Sequence, residues 1–228
     1  MISRFDIVAG GSPMRQRLAR LFRPMPSAGE ISGYEHPELL ELVFRKAAAF
    51  QPGGFEWPDM AGVSSVLDFG GGCGHHYKSA VRHSPDVRWA VVETPAMAKR
   101  ASEIATNRLR FFSSIDDAHD WLGDIDMMHS NSALQYTDDA IKTLRELCGL
   151  RARTMLWLRA ALSARSFEYE MQSSELIDNG PGGPPAGVKN KTVKYLVTKI
   201  PEPLFLAAHR GYVLRERGKD WFRFQIEC

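Results

Sequence analysis

Apolar positions recur along the chain with two periods, and the switches between them mark out the elements. Leu39, Leu40, Val43, Phe44 and Ala47 fall on one face of a helix. Pro37 suits its first position, and Glu38 lies at the positive end of its dipole. Gln51-Pro52-Gly53-Gly54 and Trp57-Pro58 form a connector. Short apolar runs then read as strands at Val66-Leu67-Asp68-Phe69, Val87 to Val92, Leu109 to Phe112, Asp126 to His129 and Thr154 to Leu158. Between them Tyr77, Ala80 and Val81, then Met97, Ala98, Ala101, Ile104 and Ala105 after Pro95, have helical spacing. A further helix is expected with Thr137 as its N-cap, Ile141, Leu144, Leu147 and Cys148 on its core face, and Gly149 at its end.

Strands alternating with helices predict an α/β chain with a mostly parallel sheet. The tail differs. Tyr212 to Glu216 and Trp221 to Ile226 are β-rich runs around a polar turn with Gly218, preceded by a helix over 202–209. Residues 1–61 read as an N-terminal helical accessory or cap segment, and 62–228 as the main domain with an insertion at about 160–197. Within the first segment, Met14 to Arg23 is a short basic amphipathic piece, read as a solvated helix face. The insertion carries the loop Asp178 to Pro185 and then Lys189, Lys191 and Lys194. It reads either as a solvated loop or as a lid whose lysines meet an anionic group.

The chemistry concentrates where the first of the core strands ends. Asp68 is followed by Phe69 and by Gly70, Gly71, Gly72 and Gly74, so the strand turns sharply and a ligand can lie against its peptide groups. The dinucleotide fingerprint needs a glycine at position 75, which is His75, and Asp68 suits a pyrophosphate poorly. A carboxylate there favours S-adenosylmethionine, whose ammonium it can attract directly or through water. Glu93 ends the next strand, where an acid accepts the ribose hydroxyls of a nucleoside. A solvated strand-end glutamate and a tight turn without ligand are the plain alternatives.

Other candidates follow from position at the carboxyl ends of the strands. Ser114 or Asp116 falls near the amino group of the cofactor's base and Ile115 near its face, although Asp116 serves equally as the cap of the short helix toward Trp121. Asn131 and Ser132 should face the transferred group, and Tyr34 should line the cofactor mouth or form a structural corner. Any general base comes from His75, His76, His129, Tyr34 and Tyr136, with His76 and Tyr136 the best placed.

Composition narrows the classes. The 228 residues are 44% hydrophobic and 25% charged, enough for one substantial core with a small accessory part. A formal net charge of +2 gives no reason to expect nucleic acid as a partner. Cys73, Cys148 and Cys228 lack paired spacing, no apolar run approaches bilayer length, and the start shows no signal-peptide pattern, so a cytoplasmic protein is expected. The His and Glu residues have no ligand spacing, so no metal site is expected.

The chain resembles the class I S-adenosylmethionine-dependent methyltransferases. Within them it is similar to a small bacterial group of methyltransferases marked by Gly33-Tyr34-Glu35-His36-Pro37-Glu38, Leu67-Asp68-Phe69-Gly70-Gly71-Gly72, Val91-Val92-Glu93 and Ser132-Ala133-Leu134-Gln135-Tyr136. The resemblance implies a Rossmann-like, seven-stranded sheet with helices on both faces and an antiparallel C-terminal edge. It also implies S-adenosyl-L-methionine as cofactor, with S-adenosyl-L-homocysteine as product. The segment after the 126–129 strand is not N-P-P-Y, which disfavours amide nitrogen and points to oxygen on a small molecule or sugar. Two other readings stay open. One is a cofactor-binding module without chemistry; the other is an NAD-dependent oxidoreductase, which fits Glu93 but neither Asp68 nor His75.

Overall fold

A computed structural model describes residues 30–53 and 60–227. The basic stretch at 14–23 and the Trp57-Pro58 part of the connector lie outside them. In chain order the elements are β1 (Glu30–Ser32), α1 (Pro37–Ala49), β2 (Ser65–Phe69), α2 (His75–Ala80), β3 (Arg88–Val92), α3 (Pro95–Ala101), β4 (Leu109–Phe112) and α4 (Ile115–Leu122). They continue with β5 (Met127–Asn131), α5 (Ala140–Gly149), β6 (Thr154–Leu158), β7 (Leu162–Ser163), β8 (Glu168–Glu175) and β9 (Thr192–Pro201). α6 (Glu202–Ala208), β10 (Tyr212–Arg217) and β11 (Trp221–Ile226) complete the chain.

The main sheet has seven strands in the order β10-β11-β6-β5-β2-β3-β4. β11 runs antiparallel to both β10 and β6, and the other neighbours are parallel. Leu67, Ala90 and Met128 pack one sheet face under α4, α5 and α6, whereas Val66, Trp89, Val91 and Met127 pack the other around Ala80 of α2. Burial on both faces is why these strands are apolar runs instead of alternating ones. The connections from β2 lead outward through β3 and β4, then return to β5 on its other side. That reversal opens a crevice at the carboxyl ends of β2 and β5.

Two local expectations are corrected. Helix α5 is capped by Asp139, whose carboxylate accepts from the Lys142 N–H at 3.0 Å. Thr137 instead closes the single 3-10 turn Leu134–Tyr136, its hydroxyl donating to the Leu134 carbonyl at 2.8 Å. At α4 the cap is Ser114, not Asp116, with Oγ accepting from the Asp117 N–H at 3.3 Å.

The larger correction concerns the insertion. Residues 162–163, 168–175 and 192–201 belong to a second sheet in which β9 pairs with β1 and β7 in parallel and with β8 antiparallel. Helix α1 joins it to the main domain: Leu39 and Leu42 pack on Val193, Tyr195 and Val197, while Phe44 and Ala47 pack on Met97 and Ala101 of α3. The buried Lys46 donates to the Ile177 carbonyl at 2.7 Å. Lys191, one of the lysines that a lid would turn toward an anionic group, is paired with Glu38 of α1 at 2.6 Å.

Candidate functional site

The glycine turn leaves β2 with Gly70 at φ +73° and Gly72 at φ +59°. A Cβ on Gly70 would lie 2.1 Å from the Cβ of Ala133, so this glycine lets β2 and the segment after β5 close on each other. At Gly72 a Cβ would meet nothing within 4 Å. Backbone there borders open space, as a loop that receives a flat ligand must. Gly74 caps the short helix α2 in the left-handed conformation. Phe69, half-buried, packs against the core.

Glu93 reaches back under this turn. Its Oε1 accepts from the Gly72 N–H and its Oε2 from the Thr94 N–H, both at 2.9 Å. Burial pushes its carboxyl up, and the two backbone N–H groups oppose that shift. The Glu93 N–H donates to the Phe112 carbonyl at 2.9 Å, which ties the end of β4, two residues before Ser114, to the backbone of the acid. Ser114 is committed to its cap, and Ile115 is half-buried against the core.

Asp68 is not arranged as a direct ligand to an ammonium. It has no exposed surface. Oδ2 accepts from His76 Nδ1 at 2.9 Å and from Trp89 Nε1 at 3.1 Å, and Oδ1 from His129 Nδ1 at 2.7 Å. Burial alone would raise this carboxyl, but His76 and His129 outweigh it and hold it well below the usual carboxylate range. The parallel pairing of β2 with β5 sets Asp68 beside His129.

At the end of β5, Asn131 Oδ1 accepts from Arg159 Nε at 2.8 Å, and its Nδ2 lies 3.5 Å from His76 Nε2. Ser132 takes φ +58° and Arg159 φ +50°, left-handed angles uncommon for such residues. The Ser132 hydroxyl accepts from Gln135 Nε2 at 2.7 Å. Tyr34, Tyr136 and Tyr195 form a cluster, with ring centroids 4.9 Å apart for Tyr34–Tyr136 and 5.4 Å for Tyr136–Tyr195. The Tyr136 hydroxyl donates to Gln172 of β8 at 3.2 Å. Burial pushes the phenols of Tyr34 and Tyr136 up, so both stay protonated at neutral pH. The structure therefore gathers the glycine turn, Glu93, His76, Asn131 and Ser132 at one crevice. Tyr34 and Tyr136 stand together where the second sheet meets the segment after β5. Sequence reasoning missed Trp89, Arg159 and Tyr195. A separate groove of about 470 Å³ lies between α1 and the segment at 187–191, and no residue of the glycine turn lines it.

Burial holds His75 down at about 3 and His209 at about 4. An unfolded histidine titrates near ~6.5, so below that pH the unfolded chain binds protons that the folded chain refuses. Stability is then fully present above the unfolded value and is lost as the pH falls through the window down to about 3. The urea midpoint is expected to drop between about pH 7 and pH 5; a flat midpoint would mean that both rings protonate freely in the folded state.

No protein-family model matches the chain, and no curated protein does. Among solved structures, the CcbJ methyltransferase from Streptomyces caelestis is 13% identical with a TM-score of 0.52, covering 85% of this chain and 100% of that chain. Streptomyces venezuelae DesVI is 13% identical with a TM-score of 0.50, covering 84% and 92%. The mitomycin 7-O-methyltransferase MmcR is 17% identical over 82% of this chain with a TM-score of 0.47, and the chain spans 53% of its length. The first two likenesses show a Rossmann-like fold. No helix among the described residues is long and apolar enough to cross a membrane.

Proposed function

We propose that this chain is an S-adenosylmethionine-dependent methyltransferase acting at oxygen on a small-molecule or sugar-type acceptor, a cytoplasmic enzyme of the small bacterial group its motifs resemble. The observation that carries the reading is the pairing of an open glycine turn with a strand-end acid. Gly72 borders free space, and the Glu93 carboxylate is held directly beneath it. This is a cradle for a nucleoside whose ribose meets an acid and whose chain meets no phosphate-binding group. The fold agrees with that use.

When bound, the cofactor supplies a methyl carbon activated by its sulfonium. The backbone of residues 69–72 and Gly74 would hold the adenosyl group, Glu93 its ribose, and Ser114 with Ile115 the side of its base. Asn131 and Ser132 border the reacting end. Tyr34 and Tyr136 close the crevice from the second sheet, so that α1 and that sheet act as the accessory cap of the domain. A protonated Tyr136, whose hydroxyl hydrogen is directed to Gln172, orients an acceptor by accepting a hydrogen bond from it and is not a base. Excluding water and aligning the acceptor are the protein's main tasks in an in-line displacement. An anionic group on the acceptor would meet the exposed guanidinium of Arg159.

The test is calorimetric titration with S-adenosylhomocysteine, with NADH as control. Saturable one-to-one binding of the former and none of the latter is expected, followed by methylation in a screen of hydroxylated acceptors. Absence of binding by folded protein would overturn the reading, and binding of NADH alone would replace it with hydride transfer.

A further inference from the structure

The contacts around Asp68 determine where the protons of two histidines sit. An ionised carboxylate only accepts, so the two ring nitrogens that approach it, His76 Nδ1 and His129 Nδ1, must both carry hydrogen. Burial keeps His129 neutral by lowering its affinity for a second proton. A neutral His76 in this form presents a lone pair at Nε2, and that atom is directed to the end of β5, 3.5 Å from Asn131 Nδ2. Arg159 Nε fixes the amide by donating to its oxygen, which leaves the NH2 side toward the ring. A chain of directed hydrogen bonds thus runs from exposed Arg159 through Asn131 and His76 to buried Asp68. It runs along the crevice at the carboxyl ends of β2 and β5.

Resting on the methyl-transfer reading, we propose that Asp68, oriented by Trp89 and His129, is a positioning residue that fixes His76 as its Nδ1–H tautomer, so that His76 Nε2 takes the acceptor's proton. The acceptor's O–H bonding pair stays on oxygen, an oxygen lone pair forms the bond to the methyl carbon, and the carbon–sulfur pair stays on sulfur. The resulting imidazolium is compensated by the carboxylate it already contacts, and the proton later leaves to water. Asp68 touches neither donor nor acceptor. This assigns the acid of the glycine motif to the proton instead of to the cofactor's ammonium.

The same three side chains offer ligand atoms within 4.8 Å of one another, so a divalent cation is the competing occupant. Their spacing argues for protons. Oxygen-to-nitrogen separations of 2.7 and 2.9 Å are hydrogen-bond lengths, whereas two ligands each ~2.0 Å from a tetrahedral zinc stand about 3.3 Å apart.

The experiment is long-range proton–nitrogen correlation on the 15N-labelled full chain near neutral pH, with His76 assigned by comparison with His76→Gln. Wild-type His76 and His129 should both appear as Nδ1–H tautomers. In Asp68→Asn the amide offers one oxygen to two rings, so one ring should switch to Nε2–H. Carbethoxylation of His76 by diethyl pyrocarbonate, mapped by mass spectrometry, should be slowed at least tenfold by saturating S-adenosylhomocysteine. An Nε2–H ring at His76 in the wild type would overturn the proposal without any need for the variant to fold. So would one zinc ion bound per chain with loss of the Nδ1 signals, or unchanged His76 labelling while S-adenosylhomocysteine is bound. Failure of S-adenosylhomocysteine to bind at all would instead remove the methyl-transfer reading and leave the tautomers measured independently of it.

Discussion

Glu93→Ala is expected to weaken S-adenosylhomocysteine binding by about 100-fold while the chain stays folded. The acid is held at the strand end by two backbone N–H groups, one from the glycine turn itself, so its carboxylate is already oriented before a ligand arrives. A hydrogen bond to a charged group contributes about 1.5–3 kcal/mol, and in the proposed site two ribose hydroxyls would meet this acid. Part of that is offset, because a carboxylate shared with Gly72 and Thr94 gives each hydroxyl less. A net loss of about 3 kcal/mol corresponds to roughly two powers of ten in affinity. Glu93→Gln keeps an acceptor oxygen and should lose only about tenfold. Calorimetry on both variants, with thermal unfolding alongside, reads the prediction; affinity of Glu93→Ala within threefold of wild type would remove Glu93 from the ribose site.

How much of this was legible beforehand depends on the range of the interactions involved. The parallel core strands were readable because each is an apolar run buried on both faces, and the glycine turn because three positive-φ positions need residues without side chains. Tyr212 to Arg217 and Trp221 to Ile226 formed the antiparallel edge their pattern suggested. The second sheet was hidden. Val193, Tyr195 and Val197 do alternate inward, but β8 is largely exposed and polar, and the partner strand β1 lies more than a hundred residues earlier. Local pattern cannot announce such a pairing. The role of Asp68 was hidden for the same reason: its partners come from α2, β3 and β5, and only the sheet brings them to one carboxylate. The displaced caps, Asp139 for Thr137 and Ser114 for Asp116, are competitions between adjacent good cappers that the neighbouring turn decides.

Gly70→Ala and Gly72→Ala should separate what the turn does for the fold from what it does for the ligand. Both glycines have positive φ, so either alanine costs about 1–2 kcal/mol in backbone strain. Only at Gly70 does the added methyl collide, at 2.1 Å from the Ala133 side chain and 3.5 Å from its Cα. Relieving that contact means moving the start of the 3-10 turn that carries Leu134, itself buried in the main core. Overpacking of this kind adds about 1–3 kcal/mol. The total at Gly70 is then about 2–5 kcal/mol, a large share of the stability of an ordinary domain, and the urea midpoint should fall accordingly. At Gly72 the methyl enters open space, so the variant should unfold only slightly earlier than wild type but bind S-adenosylhomocysteine at least tenfold more weakly. If Gly72→Ala leaves binding intact, the open side of the turn is not where the nucleoside lies. If Gly70→Ala is no less stable than Gly72→Ala, the close approach of β2 to the segment after β5 is not maintained in solution.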